Sequence, residues 1–382
     1  MSDKTVGVGM IGYAFMGRAH SQAWRNVAAF FDLPVRPSMR VVAGRTKEAT
    51  EAAAEQLGWS EAVTDWREVV GRADVDIVDI CTPGDTHAEI AIAALRAGKH
   101  VICEKPLANT VAEAEAMAQA AASATGKSMV AFNYRRVPAV ALARRMVEEG
   151  RIGEIRHVRA QYLQDWIVDP EFPLVWRLQK DKAGSGALGD IGAHIIDAAQ
   201  FISGQHIVGV SALTETFVKE RPLSAGSAGL AASGGTGRGP VTVDDAALFI
   251  GRLSGGALGS FEATRFATGR KNALRIELNG SKGSIAFDFE AMNELWVSEG
   301  GHGFERILVT EPDHPYVGAW WPPGHGLGYE HSFTHEIKDF LEAIGRGEDP
   351  TPSFADGLRV QRVLAAVERS AADGCRYTTV ED

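Results

Sequence analysis

Cysteine is scarce. Three residues of 382 (Cys81, Cys103, Cys375) are too few for a disulfide framework, and none has the C-x-x-C spacing of a structural zinc site. No apolar run approaches the length of a membrane span, and no signal-peptide pattern precedes the first strand-like run. The expectation is therefore a cytoplasmic protein without a membrane partner. A basic surplus is missing as well. Lys and Arg number 39 against 49 Asp and Glu, a net charge of −10, which argues against a nucleic-acid partner. What remains is 45% hydrophobic and 23% charged, an ordinary folded composition, over a length that suggests two domains. No internal repeat is present.

The first third alternates short apolar runs with helical patterns. Strands are expected at 6–11, 39–43, 76–81, 100–103 and 128–132, and helices at 16–31, 47–57, 87–97 and 111–124. That alternation implies βαβ units and a parallel sheet covered on both faces. After a helix from Pro138 to about 149 the pattern changes. Strands are expected at 155–163, 207–218, 242–253, 256–264, 273–279 and 284–289, mostly separated by turn signals such as Asn279-Gly280, with one helix over 189–202. The Gly/Ser/Ala-rich stretch 224–240 reads as a long flexible excursion, and helices at 330–344 and 354–371 close the chain. The fold expected is α/β: a Rossmann dinucleotide-binding domain over 1–133, then an α+β domain over 134–382 with a large, mostly antiparallel open sheet. The final helical stretch, 354–372, is placed to pack back on the first domain.

The first strand runs into Gly12-Tyr13-Ala14-Phe15-Met16-Gly17. In this register Gly12 makes the tight turn, Ala14 lets backbone approach a pyrophosphate, and Gly17 permits close helix–strand packing, with free N–H groups at the helix start. The second strand lacks the terminal acid that NAD specificity usually needs. Arg45 and Thr46 stand there instead and suit a 2′-phosphate, so the cofactor reading is NAD(P), leaning to NADP.

Thr82-Pro83 follows the third strand and Glu104-Lys105-Pro106 the fourth, both at carboxyl ends where open α/β sheets place ligands. Farther on, Asp190 and His194 are four apart, on one helix face, and a carboxylate near an imidazole suits a general base. His331 and His335 are also four apart, with Glu336 beyond, but no third ligand is defined; a helix-surface position is expected and no metal.

The Gly12–Gly17 loop, Thr82-Pro83 with His87, Glu104-Lys105-Pro106 and Gly189-Asp190-x-x-x-His194 together resemble the Gfo/Idh/MocA oxidoreductases over nearly the whole chain. Gly84 stands where that family often has Asn. The resemblance implies NAD(P)-linked redox chemistry on a secondary hydroxyl of a sugar or cyclitol, and an open sheet used for homo-dimer or homo-tetramer formation. The motifs 131–136, 162–166, 184–190 and 353–357 are most similar to a branch that oxidises an anhydro-sugar at C3 with NAD.

The resemblance carries Lys105, Asp190 and His194 as catalytic residues. His194 takes the hydroxyl proton, Asp190 orients it, and Lys105 hydrogen-bonds the reacting oxygen and could share the acid–base role. Cofactor contacts fall to residues 12–17, Arg45, Thr46, Thr82, Pro83, His87, Glu104, Lys105 and Asn133. Tyr134, Arg135, Gln164, Asp165, Trp166 and Arg177 join the catalytic trio as candidate substrate contacts. Inositol dehydrogenase, keto-sugar reductase and NAD-dependent glycosidase activities, and a non-catalytic dinucleotide-binding regulator, are the competing readings. The segment 320–326 could be a lid or an oligomer contact.

Overall fold

The computed structural model describes residues 4–228 and 231–381. The chain divides into two compact units, one of residues 1–133 with 329–358 and the other of 134–328 with 359–382.

The first unit alternates β1 (Thr5–Ile11), α1 (Phe15–Phe30), β2 (Arg36–Ala43), α2 (Lys47–Leu57), β3 (Glu61–Val63), α3 (Trp66–Gly71), β4 (Ile77–Ile80), α4 (His87–Arg96), β5 (His100–Cys103), α5 (Val111–Ser123) and β6 (Ser128–Val130). The sheet order is β3-β2-β1-β4-β5-β6, all parallel. Because helices cover both faces, β1 beyond Thr5 and all of β4 are continuously buried rather than alternating, Asp79 of β4 included. Val8, Met10, Val42, Ile77 and Ile102 form the core together with Trp24 and Val27 of α1. Phe333, Phe340 and Leu341 of the late helix α9 (Tyr329–Arg346) join the same core.

The second unit contains α6 (Pro138–Glu148), β7 (Ile155–Leu163), α7 (Lys180–Ala183), α8 (Ala193–Ser203), β8 (Ile207–Glu215), β9 (Glu220–Ala228), β10 (Ala231–Pro240), β11 (Ala246–Leu253), β12 (Leu258–Thr264), β13 (Ala273–Gly280), β14 (Gly283–Asp288), β15 (Glu294–Glu299), β16 (Glu305–Leu308) and β17 (Thr378–Thr379). The final helix α10 (Phe354–Ala372) begins among the residues of the first unit and ends among those of the second. Nine strands form one sheet in the order β16-β15-β14-β13-β7-β12-β11-β8-β17. Its pairs are antiparallel except β7 with β12. In β11 burial alternates, with Ala247 and Phe249 inside and Leu248 and Ile250 outside, the period of a sheet with one open face.

Three expectations need correction. The stretch 224–240 is not a flexible excursion: β9 and β10 pair antiparallel across it, with residues 229–230 outside the described residues. Gly, Ser and Ala give no side-chain period, so backbone pairing there leaves no pattern to read. The segment 189–202 does not begin as an α-helix. Leu188–Gly192 is a wider π-turn, and α8 starts at Ala193. Finally, His335 and Glu336 are fully buried rather than on a helix surface. The His335 ring meets Phe31 edge-on at 5.9 Å, because this face of α9 packs into the first unit. Strands β3, β15 and β16 also went unforeseen; two are short, and β16 has no fully buried residue to mark a face.

Candidate functional site

In the first unit the loops after β1, β4 and β5 are tied together. Gly12 has φ +94°, and a Cβ on it would lie 2.7 Å from the Cys81 carbonyl oxygen, so only glycine fits. A Cβ on Gly17 would lie 2.3 Å from the Gly12 carbonyl, which seats α1 directly on the turn. Ala14, the N-cap, offers no side-chain acceptor, and the first turn of α1 carries no acid. Its N–H groups are therefore available to an anion, as a dinucleotide pyrophosphate requires. Tyr13 and Met16 pack on the core, and Phe15 stacks on Tyr329 with ring centres 6.3 Å apart.

At the end of β2, Arg45 and Thr46 are exposed. A Cβ on Gly44 would meet the Tyr13 ring at 2.0 Å, so Tyr13 occupies the space where a ribose-binding acid would begin. Gly84 has a similar explanation, since its Cβ position is taken by Asn109 Oδ1 at 2.4 Å.

His87 is buried, with Nε2 2.8 Å from the Thr82 carbonyl and Nδ1 3.1 Å from the Pro106 carbonyl. It thus couples the Thr82-Pro83 and Lys105-Pro106 turns. Glu104 is buried too, and its Oε2 accepts the backbone N–H of Lys105 at 3.0 Å. The Lys105–Pro106 peptide is cis. Asn133 is buried and donates to Ser332 Oγ of α9 at 2.8 Å.

In the second unit a polar line runs beside an imidazole. His194 stacks on Tyr134 with ring centres 4.3 Å apart, and Tyr162 lies 5.9 Å from the same ring. The Tyr162 hydroxyl donates to Asn272 Oδ1 at 2.7 Å. Its single proton is then committed, so Tyr134, 2.7 Å away, donates to Tyr162. From the other side Gln164 donates to Asn272 Oδ1 at 2.9 Å, and Trp166 Nε1 donates to Gln164 at 3.1 Å.

The π-turn that carries Asp190 is held by Asp244. Its carboxylate accepts from the Gly186 and Leu188 amides at 2.7 and 2.8 Å. The fully buried Arg265 donates to the Asp244 carbonyl at 3.2 Å and stands 3.5 Å from the Asp190 carboxylate. The same guanidinium lies 5.6 Å from the Trp166 ring centre.

Three expected substrate contacts have structural partners. Arg135 forms a bidentate pair with Asp197 at 2.8 and 2.5 Å. Asp165 pairs with Lys271 at 2.7 Å and accepts from the Gly269 amide, contacts that hold its carboxyl below the usual range. Arg177 lies over the Trp176 ring at 4.4 Å. Sequence reasoning missed His20, Asp79, Asn272, Asp244 and Arg265, and named Tyr162 only within a motif. Tyr162 and Gln164 share one face by strand alternation, a usable signal; the others meet their partners only through the fold.

Two family models match the chain: "Oxidoreductase family, NAD-binding Rossmann fold" over residues 6–132, and "GFO/IDH/MocA C-terminal domain" over 140–286. Levoglucosan dehydrogenase of Pseudarthrobacter phenanthrenivorans is 46% identical over 379 residues, covering 97% of each chain. Among solved structures, an oxidoreductase domain protein from Kribbella flavida is 64% identical with a TM-score of 0.95, covering 99% of this chain and 100% of that one. A levoglucosan dehydrogenase complex with NADH and levoglucosan is 44% identical with a TM-score of 0.94 and the same coverage.

Proposed function

This chain belongs to the Gfo/Idh/MocA family of oxidoreductases, and from that premise we propose that it is an NAD(P)-dependent dehydrogenase acting on a secondary hydroxyl, at C3, of a pyranose, anhydro-sugar or glycoside. The observation that carries this reading is the imidazole of His194 stacked beside hydroxyl- and amide-bearing side chains, Tyr134, Tyr162, Asn272 and Gln164, with the Trp166 ring at their end. Such a row suits a polyhydroxylated ring, whose hydroxyls need paired donors and acceptors and whose C–H face can rest on an aromatic surface. The resemblance to levoglucosan dehydrogenase supports the anhydro-sugar class.

In this reading the first unit binds the cofactor and the second recognises the sugar. The Gly12–Gly17 turn and the uncapped start of α1 fit a pyrophosphate. When the cofactor is bound, its oxidised nicotinamide would supply the hydride acceptor. His194 takes the proton from the reacting hydroxyl, and Asp190, steadied by Arg265, stabilises the imidazolium. Lys105, its backbone fixed by Glu104, hydrogen-bonds the reacting oxygen. The absence of a carboxylate at Gly44 and Arg45 supports NADP over NAD. The open sheet face, with Leu213, Leu248, Ile250 and Trp296 exposed, supports self-association into a dimer or tetramer.

The test is formation of reduced cofactor with levoglucosan, glucose, methyl glucosides, 1,5-anhydroglucitol and inositols, each with NAD and NADP. Reduction with a pyranose or anhydro-sugar is the expected result. Reduction with inositols alone would replace the sugar reading, and glycoside cleavage without net reduced cofactor would replace the dehydrogenase reading.

A further inference from the structure

One buried imidazole on α1 meets both a carboxylate of β4 and the carboxylate that follows β5. His20 lies on α1 just past Gly17 and is 1% exposed. Its Nδ1 is 3.0 Å from both carboxylate oxygens of Asp79, on β4, and its Nε2 is 3.0 Å from Glu104 Oε1, just beyond β5. Trp24 Nε1 donates to Asp79 Oδ2 at 2.7 Å, and the Cys81 thiol lies 3.4 Å from Oδ1. Phe333 of α9 covers the ring at 5.5 Å, and the Cys103 thiol is the remaining titratable neighbour.

A neutral imidazole has one N–H and cannot donate to two carboxylates at once. Asp79 already accepts a fixed indole N–H, and Glu104 already accepts the Lys105 amide through its other oxygen. With both carboxyls ionised, each ring nitrogen faces only acceptors, and the arrangement is satisfied when both nitrogens carry protons. Burial opposes charge on His20, but the Asp79 carboxylate and its hydrogen bond, with Cys81, outweigh it and hold the imidazole well above its usual pKa.

We propose that His20 is a positioning residue: a doubly protonated imidazolium that clamps the ends of β4 and β5 to α1 and, through Glu104, fixes the backbone that aims Lys105. It rests on the assignment of Lys105 to the reacting oxygen. The clamp acts on geometry, so it serves turnover rather than cofactor affinity.

The test has two arms. In the first, 15N-histidine NMR of the full wild-type chain, with His20→Gln for assignment, should show one of the eleven histidines doubly protonated from about pH 6 to about pH 8, where a free imidazole deprotonates. If the resonance lost in His20→Gln is neutral at about pH 8, the proposal is overturned, whatever the activity. In the second, His20→Gln should lower kcat about 10- to 100-fold, with NADPH affinity by fluorescence and the KM for sugar within about twofold of wild type. Unchanged kcat, or cofactor affinity falling in step with kcat, would overturn the positioning role. If wild type reduces neither cofactor with any sugar, the functional reading fails instead, and the NMR arm still decides the protonation state.

Discussion

Arg265 and Asp190 form an ion pair at 3.5 Å in which the guanidinium is fully buried and the carboxylate 26% exposed. Charge is thus delivered from the interior to a carboxylate that keeps one side open. Arg265→Met should destabilise the protein by about 2 kcal/mol, between the exposed- and buried-pair limits, read from denaturant midpoints. It should also lower kcat more than it raises the KM for sugar. Arg265→Lys should recover little, because an ammonium cannot span the Asp190 carboxylate and the Asp244 carbonyl as the fork does. Full activity in Arg265→Lys would show that charge alone suffices.

Lys105→Ala and His194→Ala should each reduce kcat by about 10²–10⁴-fold while reduced cofactor still binds. Steady-state rates and fluorescence titration on the same preparations separate chemistry from binding. A variant that retains wild-type turnover removes its residue from the mechanism.

The Tyr13 ring over Gly44 makes the cofactor preference testable by two substitutions with different costs. Gly44→Asp must displace a ring 2.0 Å from its Cβ, with an expected loss of about 1–3 kcal/mol in stability. Arg45→Asp lies on an exposed loop and should be tolerated. A charged hydrogen bond to a 2′-phosphate is worth about 1.5–3 kcal/mol, so this variant should shift the ratio of kcat/KM towards NAD by about tenfold or more. An unchanged ratio would show that Arg45 does not read the phosphate.

The parts of the site that were legible in sequence are those that a local backbone requirement imposes. Gly12 and Gly17 are demanded by a turn that carbonyl oxygens crowd, and Glu104-Lys105-Pro106 announces itself by ending a buried strand. Helix α2 was legible to the residue because Thr46 precedes it and Gly58, in the left-handed region, stops it. His20 was not, since its partners Asp79 and Glu104 are 59 and 84 residues away and meet it only when parallel strands bring their ends together. Asn272 is 110 residues from Tyr162 and meets it only because β13 pairs antiparallel with β7. The β9–β10 pair escaped notice because its residues have no hydrophobic period to display.

Asn272 Oδ1 accepts from Tyr162 and Gln164 together, so its removal strands two donors. Asn272→Ala should cost about 1–3 kcal/mol in stability. Its larger effect should be a raised KM for sugar with kcat little changed, the signature of lost uniform binding. Asn272→Asp, which keeps the acceptor, should behave closer to wild type in KM. A fall in kcat at constant KM would instead place Asn272 with the chemistry.

The His20 imidazole also sets a direction for stability against pH. Its folded-state pKa is raised well above the ordinary value by Asp79, against the opposing effect of burial. The folded state then holds a proton that the unfolded chain releases above about pH 6.5. The stabilisation is complete below that pH and is lost as pH rises through the folded value. His100 acts in the opposite sense: burial lowers its pKa, so stability falls as pH drops below about 6.5. Denaturant unfolding across this range should therefore show stability declining on both sides, with the alkaline decline shallower in His20→Gln, which has no imidazolium to lose. An alkaline decline equally steep in that variant would assign the slope to other groups.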